Sequence, residues 1–500
     1  MQKKFFYFSS LSLITIFLLV AIYFNNTYLS FNPSNVKSTI YTLSSDTLNG
    51  RLAGSMENDM VAKLIASKFK DYGLIPLNSD YNDNFIVTCP TSTNTTAHLY
   101  ISNNESIIKS FNYGIDFKED MINFKENSFT FSKSDIIKTY PSHIEVICPN
   151  GKFILYTPKD DDLSFRSSFS KDFDYDLAVM ITENVFTSIQ SSIKEGNTIS
   201  LHIPFTTEDK SISNIVGVLE GSDSSLPPLI LSAHYDHLGS DGVGNTYSGA
   251  LDNASGSAFI LELCRSLSTY GKPSRDIIFV ALNAEEFGLL GSEHFVKRYL
   301  DTIKDAESIN FDMIGSPDIP ITFVQGTNYK AIDSKLLSSL KNISTDLNID
   351  YEIKYQDSSD HASFNKFNID SVTFCHDDVS KIHTPNDTLD FIDIAAISSA
   401  HNIIDTKIKN SCYSSFTKFL YSTKSILFFA TFLVIVCALF IFDRKNTLLD
   451  KLGIKIFSLV AILFIVLSFM LYLKGFIYAM LVVLIYSFSG IALSIRHYSK

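Results

Sequence analysis

Histidine, aspartate and glutamate residues recur in this sequence where buried strands are expected to end or helices to begin. The set comprises His234, Asp252, Glu285, Glu286, Asp312 and His383. Imidazole and carboxylate groups are ligands that Zn²⁺ takes in proteins, and Co²⁺ or Mn²⁺ can replace it. Because parallel strands end at one rim of a sheet, groups at several strand ends can converge in space. The pattern therefore predicts a metal site.

The number of these groups favours two metal ions over one. A single catalytic zinc usually takes three protein ligands and keeps one position open. Two histidines and three carboxylates exceed that number, so two ions that share one carboxylate fit better. Adjacent residues of an extended segment point opposite ways, so one glutamate of the Glu285–Glu286 pair is expected to bind metal while the other accepts a proton from water. Taken singly, His234 also suits a core position and Asp252 a helix N-cap.

Strand and helix patterns alternate in the second half of the chain. Apolar runs that predict strands lie at Asn214–Gly221, Leu229–Leu231, Asp276–Glu286, Ser308–Gly315 and Asp370–His376. Helical patterns lie between them, the first over Ala254–Leu267. Alternation of this kind predicts an α/β fold with a mostly parallel, helix-covered sheet.

Four windows are long and almost uncharged: Phe5–Phe24, Ile426–Phe442, Ile456–Leu473 and Phe476–Ile495. Each is about long enough to cross a hydrocarbon layer of ~30 Å, although the second could be a buried helix. The first could be a cleaved signal peptide, but its apolar run is long and no small-x-small cleavage site follows. Basic residues flank the windows so that residues 25–423 are expected outside the cytoplasm. This predicts a multi-pass membrane protein with an extracytoplasmic catalytic domain.

Composition bounds the remaining possibilities. The chain has 500 residues, of which 46% are hydrophobic, so more than one domain is expected. A formal charge of −12 leaves no basic footprint for nucleic acid. The six cysteines have no CxxC spacing, and we expect most of them to be small buried apolar residues. Nothing in the sequence indicates the oligomeric state.

The sequence pattern changes over residues 91–210, which contain no cluster of candidate catalytic residues. Short alternating runs such as Phe153–Tyr156 and Leu177–Ile181 are separated by Ser, Asn and Asp clusters, which predicts a β-rich insert. The predicted domains are a transmembrane anchor at 1–24, a catalytic domain at 34–90 and 211–410, the insert at 91–210, and three transmembrane helices at 425–500.

Several motifs together resemble the zinc-dependent aminopeptidases related to bacterial leucyl aminopeptidase. They are AHYDHLG, GALDNASG, LNAEEFGLLGS, NFDMIG and IHTPNDTL, in the family's order. That broad family also contains glutamate carboxypeptidase, glutaminyl cyclase and the transferrin receptor. The resemblance covers about Ile40–Leu77 and Ile212–Asp405, and the segment between them is similar, more weakly, to the family's protease-associated insert.

The resemblance implies a role for each site residue. One zinc ion would be held by His234 and Asp312, and the other by Glu286 and His383. Asp252 would bridge the two ions, and its peptide bond to Asn253 would be cis. Glu285 would be the general base, and Asp236 would orient His234. The family's leucyl members use a tyrosine at the oxyanion, four residues before the Asp of a Ser-Asp-His motif. Here Gln356 holds that position, so the candidates are Tyr355, Gln356 and Ser359.

The expected activity is removal of N-terminal residues from peptides. A substrate carboxylate favours arginine, and no arginine lies between Tyr299 and Phe442, whereas a free amino group suits an acidic site. Phe364 and Phe374 favour apolar first residues. The alternatives are a carboxypeptidase, a glutaminyl-cyclase-like enzyme, or an inactive receptor-type relative.

Overall fold

A computed structural model describes residues 2–104, 106–331 and 333–445. Its strands, numbered in chain order, are β1 (Ile75–Pro76), β2 (Asn82–Ser92), β3 (His98–Asn103), β4 (Ser106–Phe111), β5 (Phe117–Phe124), β6 (Ser128–Phe131), β7 (Ile136–Thr139), β8 (His143–Cys148), β9 (Gly151–Tyr156), β10 (Leu177–Ile181), β11 (Thr198–His202), β12 (Phe205–Leu219), β13 (Leu229–His234), β14 (Ile277–Leu282), β15 (Glu307–Phe311), β16 (Ile321–Gln325), β17 (Tyr351–Tyr355) and β18 (Asp370–His376).

The helices of the same residues are α1 (Gln2–Thr27), α2 (Pro33–Leu43), α3 (Met56–Asp71), α4 (Glu183–Glu195), α5 (Gly256–Leu267), α6 (Leu290–Ile303), α7 (Lys335–Asp346), α8 (His361–Lys366), α9 (Ile394–Cys412), α10 (Ser415–Leu420) and α11 (Thr423–Lys445).

The largest sheet has nine strands in the order β1-β12-β14-β13-β15-β18-β16-β17, with β2 also paired to β12. The four central strands, β14, β13, β15 and β18, run parallel. On either side, β12 and β16 join them antiparallel. The sheet is therefore mixed: parallel pairing, as expected, holds for the four central strands and for β16 with β17, whereas the pairs that join them are antiparallel. A hydrophobic run marks a strand as buried but does not encode its direction, which is why the sequence did not show this.

The central strands are buried along their whole length. Every residue of β13 and β14 is buried, as their near-continuous apolar runs require of strands covered on both faces. Their final residues are His234 and Leu282, and parallel pairing places both at the same rim. Burial of these strands therefore fixes where the loops that follow them begin.

Residues of the predicted insert form two further sheets. One has the order β5-β10-β9-β8-β7, and the other β4-β3-β11-β6. Their apolar core is continuous with Leu238, Ala284 and Phe287, which belong to loops at the rim of the large sheet. The insert and those loops thus exclude water together. The domain boundaries given above stay a prediction.

Residues 32–264 and 275–405 form one compact unit, which contains all three sheets. A second unit takes in residues 2–31, 265–274 and 406–445 of the described chain. Within it α1 packs along α11, and the Phe17 and Phe429 rings stack with centroids 5.5 Å apart.

The described residues contain one helix that is long and apolar enough to span a membrane, Phe8–Thr27. Two such helices were expected in this part of the chain. The window at Ile426–Phe442 is helical within α11, but the described residues of that window do not provide a second helix of this length and hydropathy. The windows at Ile456–Leu473 and Phe476–Ile495 lie outside the described residues.

Candidate metal centre

The residues expected to bind metal lie together at the rim where the central strands end. His234 is the last residue of β13, Asp312 directly follows β15, and Glu286 follows β14 by four residues. Asp252 lies in an irregular turn, Ala250–Ser255, that leads into α5. His383 comes from the loop after β18. Parallel pairing of the strands brings these loops to one edge, as the sequence pattern indicated.

The two oxygens of Asp252 face two different histidines. Asp252 Oδ1 lies 3.4 Å from His234 Nε2, and Oδ2 lies 3.4 Å from His383 Nε2. On the first side, His234 Nε2 is also 3.5 Å from Asp312 Oδ1. On the second, His383 Nε2 is 3.4 Å from Glu286 Oε2. The geometry thus divides the five groups into two halves that share one carboxylate.

Asp236 contacts the turn that carries Glu285 and Glu286, as well as the ring of His234. Its Oδ1 lies 3.6 Å from His234 Nδ1. Its carboxylate also accepts hydrogen bonds from the backbone N–H of Glu285 and of Glu286, at 3.2 and 3.3 Å. The Glu285 carboxylate lies within 4.8 Å of ligand atoms of both His234 and Asp312. Glu285 therefore faces the first half of the cluster, whereas Glu286 faces the second.

Burial and mutual charge shift the pKa of several groups in this cluster. Burial raises the pKa of the Glu285 carboxyl well above its usual range. Burial lowers the pKa of His383, but the Glu286 and Asp252 carboxylates more than offset this and raise it to about 9. Burial likewise opposes protonation of His234, and the surrounding carboxylates prevail there too, so its pKa is raised. The cluster is an environment that stabilises positive charge.

The donor set fits two divalent ions. Four buried atoms at this point have no hydrogen-bond partner among the described residues: His234 Nδ1 and Nε2, His237 Nε2 and Asp312 Oδ1. A buried polar atom without a partner costs about 1–3 kcal/mol, so such atoms at one point favour a missing ligand. Nitrogen and carboxylate donors suit zinc. Two halves that share one carboxylate suit a pair of ions.

The turn that carries Asp252 is held by two buried charged residues. Asp387 accepts hydrogen bonds from the backbone N–H of Leu251 and Asp252, at 2.8 and 3.0 Å. The guanidinium of Arg51 donates to four backbone carbonyls, those of Leu43, Tyr235, Ser248 and Gly249. The peptide bond between Asp252 and Asn253 is cis, which confirms the expectation from the resemblance.

Two residues at the site were missed by the sequence analysis. His237 is fully buried, and its Nδ1 lies 2.9 Å from Glu286 Oε1. Its place three residues after His234 was a signal that could have been used. Ser168, from the insert, donates to the other Glu286 oxygen, Oε2, at 2.6 Å. No motif marked this serine, because the contact joins residues 118 positions apart.

The three oxyanion candidates lie in different surroundings. Ser359 is buried and donates to Asp312 Oδ2 at 2.7 Å, so its hydroxyl holds a predicted ligand. Tyr355 ends β17, and both it and Gln356 are partly exposed. The Gln356 carbonyl accepts a hydrogen bond from His361 Nε2 at 2.9 Å. The oxyanion role stays a prediction for all three.

The aromatic residues expected to favour apolar substrates cannot do so. Phe364 and Phe374 are fully buried in the core of the unit and offer no surface to a substrate. Two arginines from earlier in the chain lie close to the site. Arg51 is committed to backbone carbonyls, and Arg166 is fully buried with its guanidinium 5.5 Å from the Phe205 and Tyr247 ring centroids. Neither guanidinium is open to a substrate carboxylate.

Comparison with known proteins agrees with this site. Residues 214–406 match the model of peptidase family M28. The chain is 27% identical over 212 residues to aminopeptidase YwaD of Bacillus subtilis, which covers 40% of this chain and 45% of YwaD. It is 39% identical over 118 residues to a vacuolar membrane protease of Clavispora lusitaniae, covering 23% of this chain and 11% of that protein. The chain thus spans less than half the length of these curated relatives.

Solved structures share the fold. An aminopeptidase from Aneurinibacillus sp. strain AM-1 superposes with a TM-score of 0.53 at 19% identity, over 77% of this chain and 94% of that one. BSAP, a zinc aminopeptidase from Bacillus subtilis, superposes with a TM-score of 0.54 at 18% identity, over 77% and 96%. The motifs, the sheet and the cluster thus agree with the match of residues 214–406 to peptidase family M28.

Proposed function

We propose that this protein is a zinc-dependent aminopeptidase with two metal ions. The observation that carries the proposal is Asp252, whose two oxygens each face a different histidine–carboxylate pair. His234 and Asp312 would hold one ion, and Glu286 and His383 the other. Proteins similar to this chain include a zinc aminopeptidase and a probable zinc metalloprotease, which supports zinc as the metal.

Each residue has a defined part in peptide hydrolysis. Zinc, when bound, would polarise the scissile carbonyl and acidify the attacking water. Glu285 accepts the proton of that water and passes it to the leaving amine. Asp236 fixes the backbone of Glu285 and Glu286 so that their carboxylates keep separate tasks. Tyr355 or Gln356 would donate to the oxyanion.

The site favours the amino end of a peptide over the carboxyl end. A free ammonium group is attracted by the buried carboxylates of the cluster. A terminal carboxylate would need a cationic partner, and the guanidinium groups of Arg51 and Arg166 are both shielded from substrate. These observations argue against a carboxypeptidase. The complete ligand set argues against a receptor-type relative.

We further propose that the catalytic unit lies outside the cytoplasm and is anchored by α1. Lys3 and Lys4 precede its apolar run, which places that end inside under the positive-inside rule. A relative named vacuolar membrane protease supports membrane association. A multi-pass arrangement rests on the hydropathy of the C-terminal windows alone.

Three versions of one short peptide test the activity. The full chain, purified in detergent, should hydrolyse the peptide with free ends and its C-terminally amidated form at similar rates. N-acetylation should abolish hydrolysis, because it removes the charge that the carboxylates attract. Loss of activity on the amidated form, with the acetylated form still cleaved, would make the protein a carboxypeptidase.

A further inference from the structure

The insert reaches into the metal centre through the segment Phe165–Phe169, here called the insert segment. The backbone N–H of Arg166 donates to the His383 carbonyl at 3.0 Å, and that of Phe169 donates to the Glu286 carbonyl at 2.8 Å. Ser168 Oγ donates to Glu286 Oε2, and the Phe169 ring packs on Phe287 with centroids 5.2 Å apart. Two predicted metal ligands are thus tied directly to the insert.

Phe165 is the apolar side chain that these contacts leave exposed beside the metal centre. Its ring lies 5.7 Å from the His383 ring, at an interplanar angle of 26°. It keeps 43% of its surface exposed, although large apolar side chains are usually covered. Phe311, Phe364 and Phe374, which lie on or near strands that lead to the site, are fully buried. An exposed ring against a metal ligand is well placed to meet a substrate side chain.

We propose that Phe165 of the insert forms the apolar wall that receives the side chain of the substrate's N-terminal residue. This inference rests on the proposed aminopeptidase function and names a residue of the insert that sets its preference among N-terminal side chains. The insert segment then has two tasks. Ser168 orients the Glu286 carboxylate, and Phe165 selects the residue to be removed.

Kinetics of Phe165→Ala in the full chain test the selection. We expect kcat/KM for a leucyl substrate to fall about tenfold or more, the usual size of a lost apolar contact, while that for an alanyl substrate falls less than about threefold. Tyr140→Ala is the matched control, because Tyr140 is also in the insert, is 40% exposed and stacks on a histidine, His143. It should leave both values unchanged.

Equal losses on both substrates, or no loss, would refute the role of Phe165 while the aminopeptidase function stands. A wild-type chain that cleaves neither substrate would refute both.

A fluorescence experiment gives a readout that needs no turnover. The chain has no tryptophan, so Phe165→Trp introduces a single reporter. Co²⁺ added to the metal-free variant should quench its emission, and a non-hydrolysable leucyl ligand should then shift the emission more than its alanyl analogue does. The Tyr140→Trp control should respond to neither addition. If Phe165→Trp behaves like that control, the ring does not lie at the substrate, and the proposal is wrong.

Discussion

Glu285 and Glu286 are neighbours in sequence, yet their carboxylates face different halves of the cluster. Glu285 lies near His234 and Asp312, while Glu286 lies 3.4 Å from His383 and 2.9 Å from His237. Asp236 fixes this arrangement by accepting both backbone N–H groups. Chemically identical side chains therefore acquire different neighbours from the turn that carries them.

Substitution of the two glutamates should separate these roles. Glu285→Gln should keep its metal and lose turnover by a factor of about 10² or more, because only the proton acceptor is removed. Glu286→Gln should lose metal from one position, since a neutral amide is a poorer ligand. Metal content by elemental analysis, measured beside kcat, distinguishes them. If both variants lose metal alike, the assignment is wrong.

His361 should make stability fall at acid pH. Its Nε2 donates to the Gln356 carbonyl, its Nδ1 pairs with Thr373 Oγ1, and burial lowers its pKa to about 4. Between that value and the ordinary ~6.5 the unfolded chain binds a proton that the folded chain does not. Stability should therefore drop as pH falls through this window, by up to about 1.4 kcal/mol per unit.

Denaturant unfolding at pH 7 and pH 5, with metal chelated, measures this effect. His361→Gln should show a smaller difference between the two pH values than the wild type does. His143→Gln, a change in the insert away from this network, is the control and should keep the wild-type difference. An unchanged difference in His361→Gln would contradict the assignment.

Three of the predicted metal ligands could be found from the sequence because they follow apolar runs. Strands that alternate with helices are expected to run parallel and to end at one rim, so convergence of His234, Glu286 and Asp312 follows from that alternation. His237 and Ser168 could not be found in the same way. His237 shares a turn with His234 but serves the opposite half of the cluster, and Ser168 arrives from a separate sheet system through tertiary packing.

At the scale of elements, Arg51 ties together segments that hold the site. Its guanidinium is fully buried and donates to four carbonyls on three parts of the chain. The nearest carboxylates include Asp387, which binds the backbone of the Asp252 turn. Arg51 therefore links the residues before α3 to the loop that carries the shared carboxylate.

Loss of this guanidinium should cost about 3–5 kcal/mol of unfolding free energy, as expected when one partner of a buried charged network is removed. We expect Arg51→Met to show this loss in denaturant unfolding. Arg298→Met is the control, because Arg298 is 41% exposed and its ion pair with Asp83 should contribute about 1 kcal/mol or less. Similar losses in both variants would mean that Arg51 has no special role.

The sheet shows which features of the fold can be predicted from the apolar runs of the sequence and which cannot. Buried runs located β13, β14, β15 and β18, whose parallel order follows from helical crossovers. β16 pairs antiparallel with β18. A run of apolar residues does not encode that direction. Phe364 and Phe374 were expected near substrate for a similar reason, since position along the chain does not reveal which face a side chain takes.

At the scale of the whole molecule, the prediction is a catalytic unit held beside a membrane. The helix Phe8–Thr27 is long and apolar enough to span a bilayer, and α11 packs along α1. Protease added outside intact cells should cut the chain within residues 32–405. Protection of that region until the cells are lysed would contradict the outward orientation.

The central claim is that five side chains hold two metal ions, and metal stoichiometry tests it most directly. The full chain, purified in detergent without chelator and shown to be active, should contain close to two zinc ions per chain by elemental analysis. Removal of both ions by a chelator should abolish hydrolysis, and their return should restore it. An active preparation with one ion or none per chain would contradict the account.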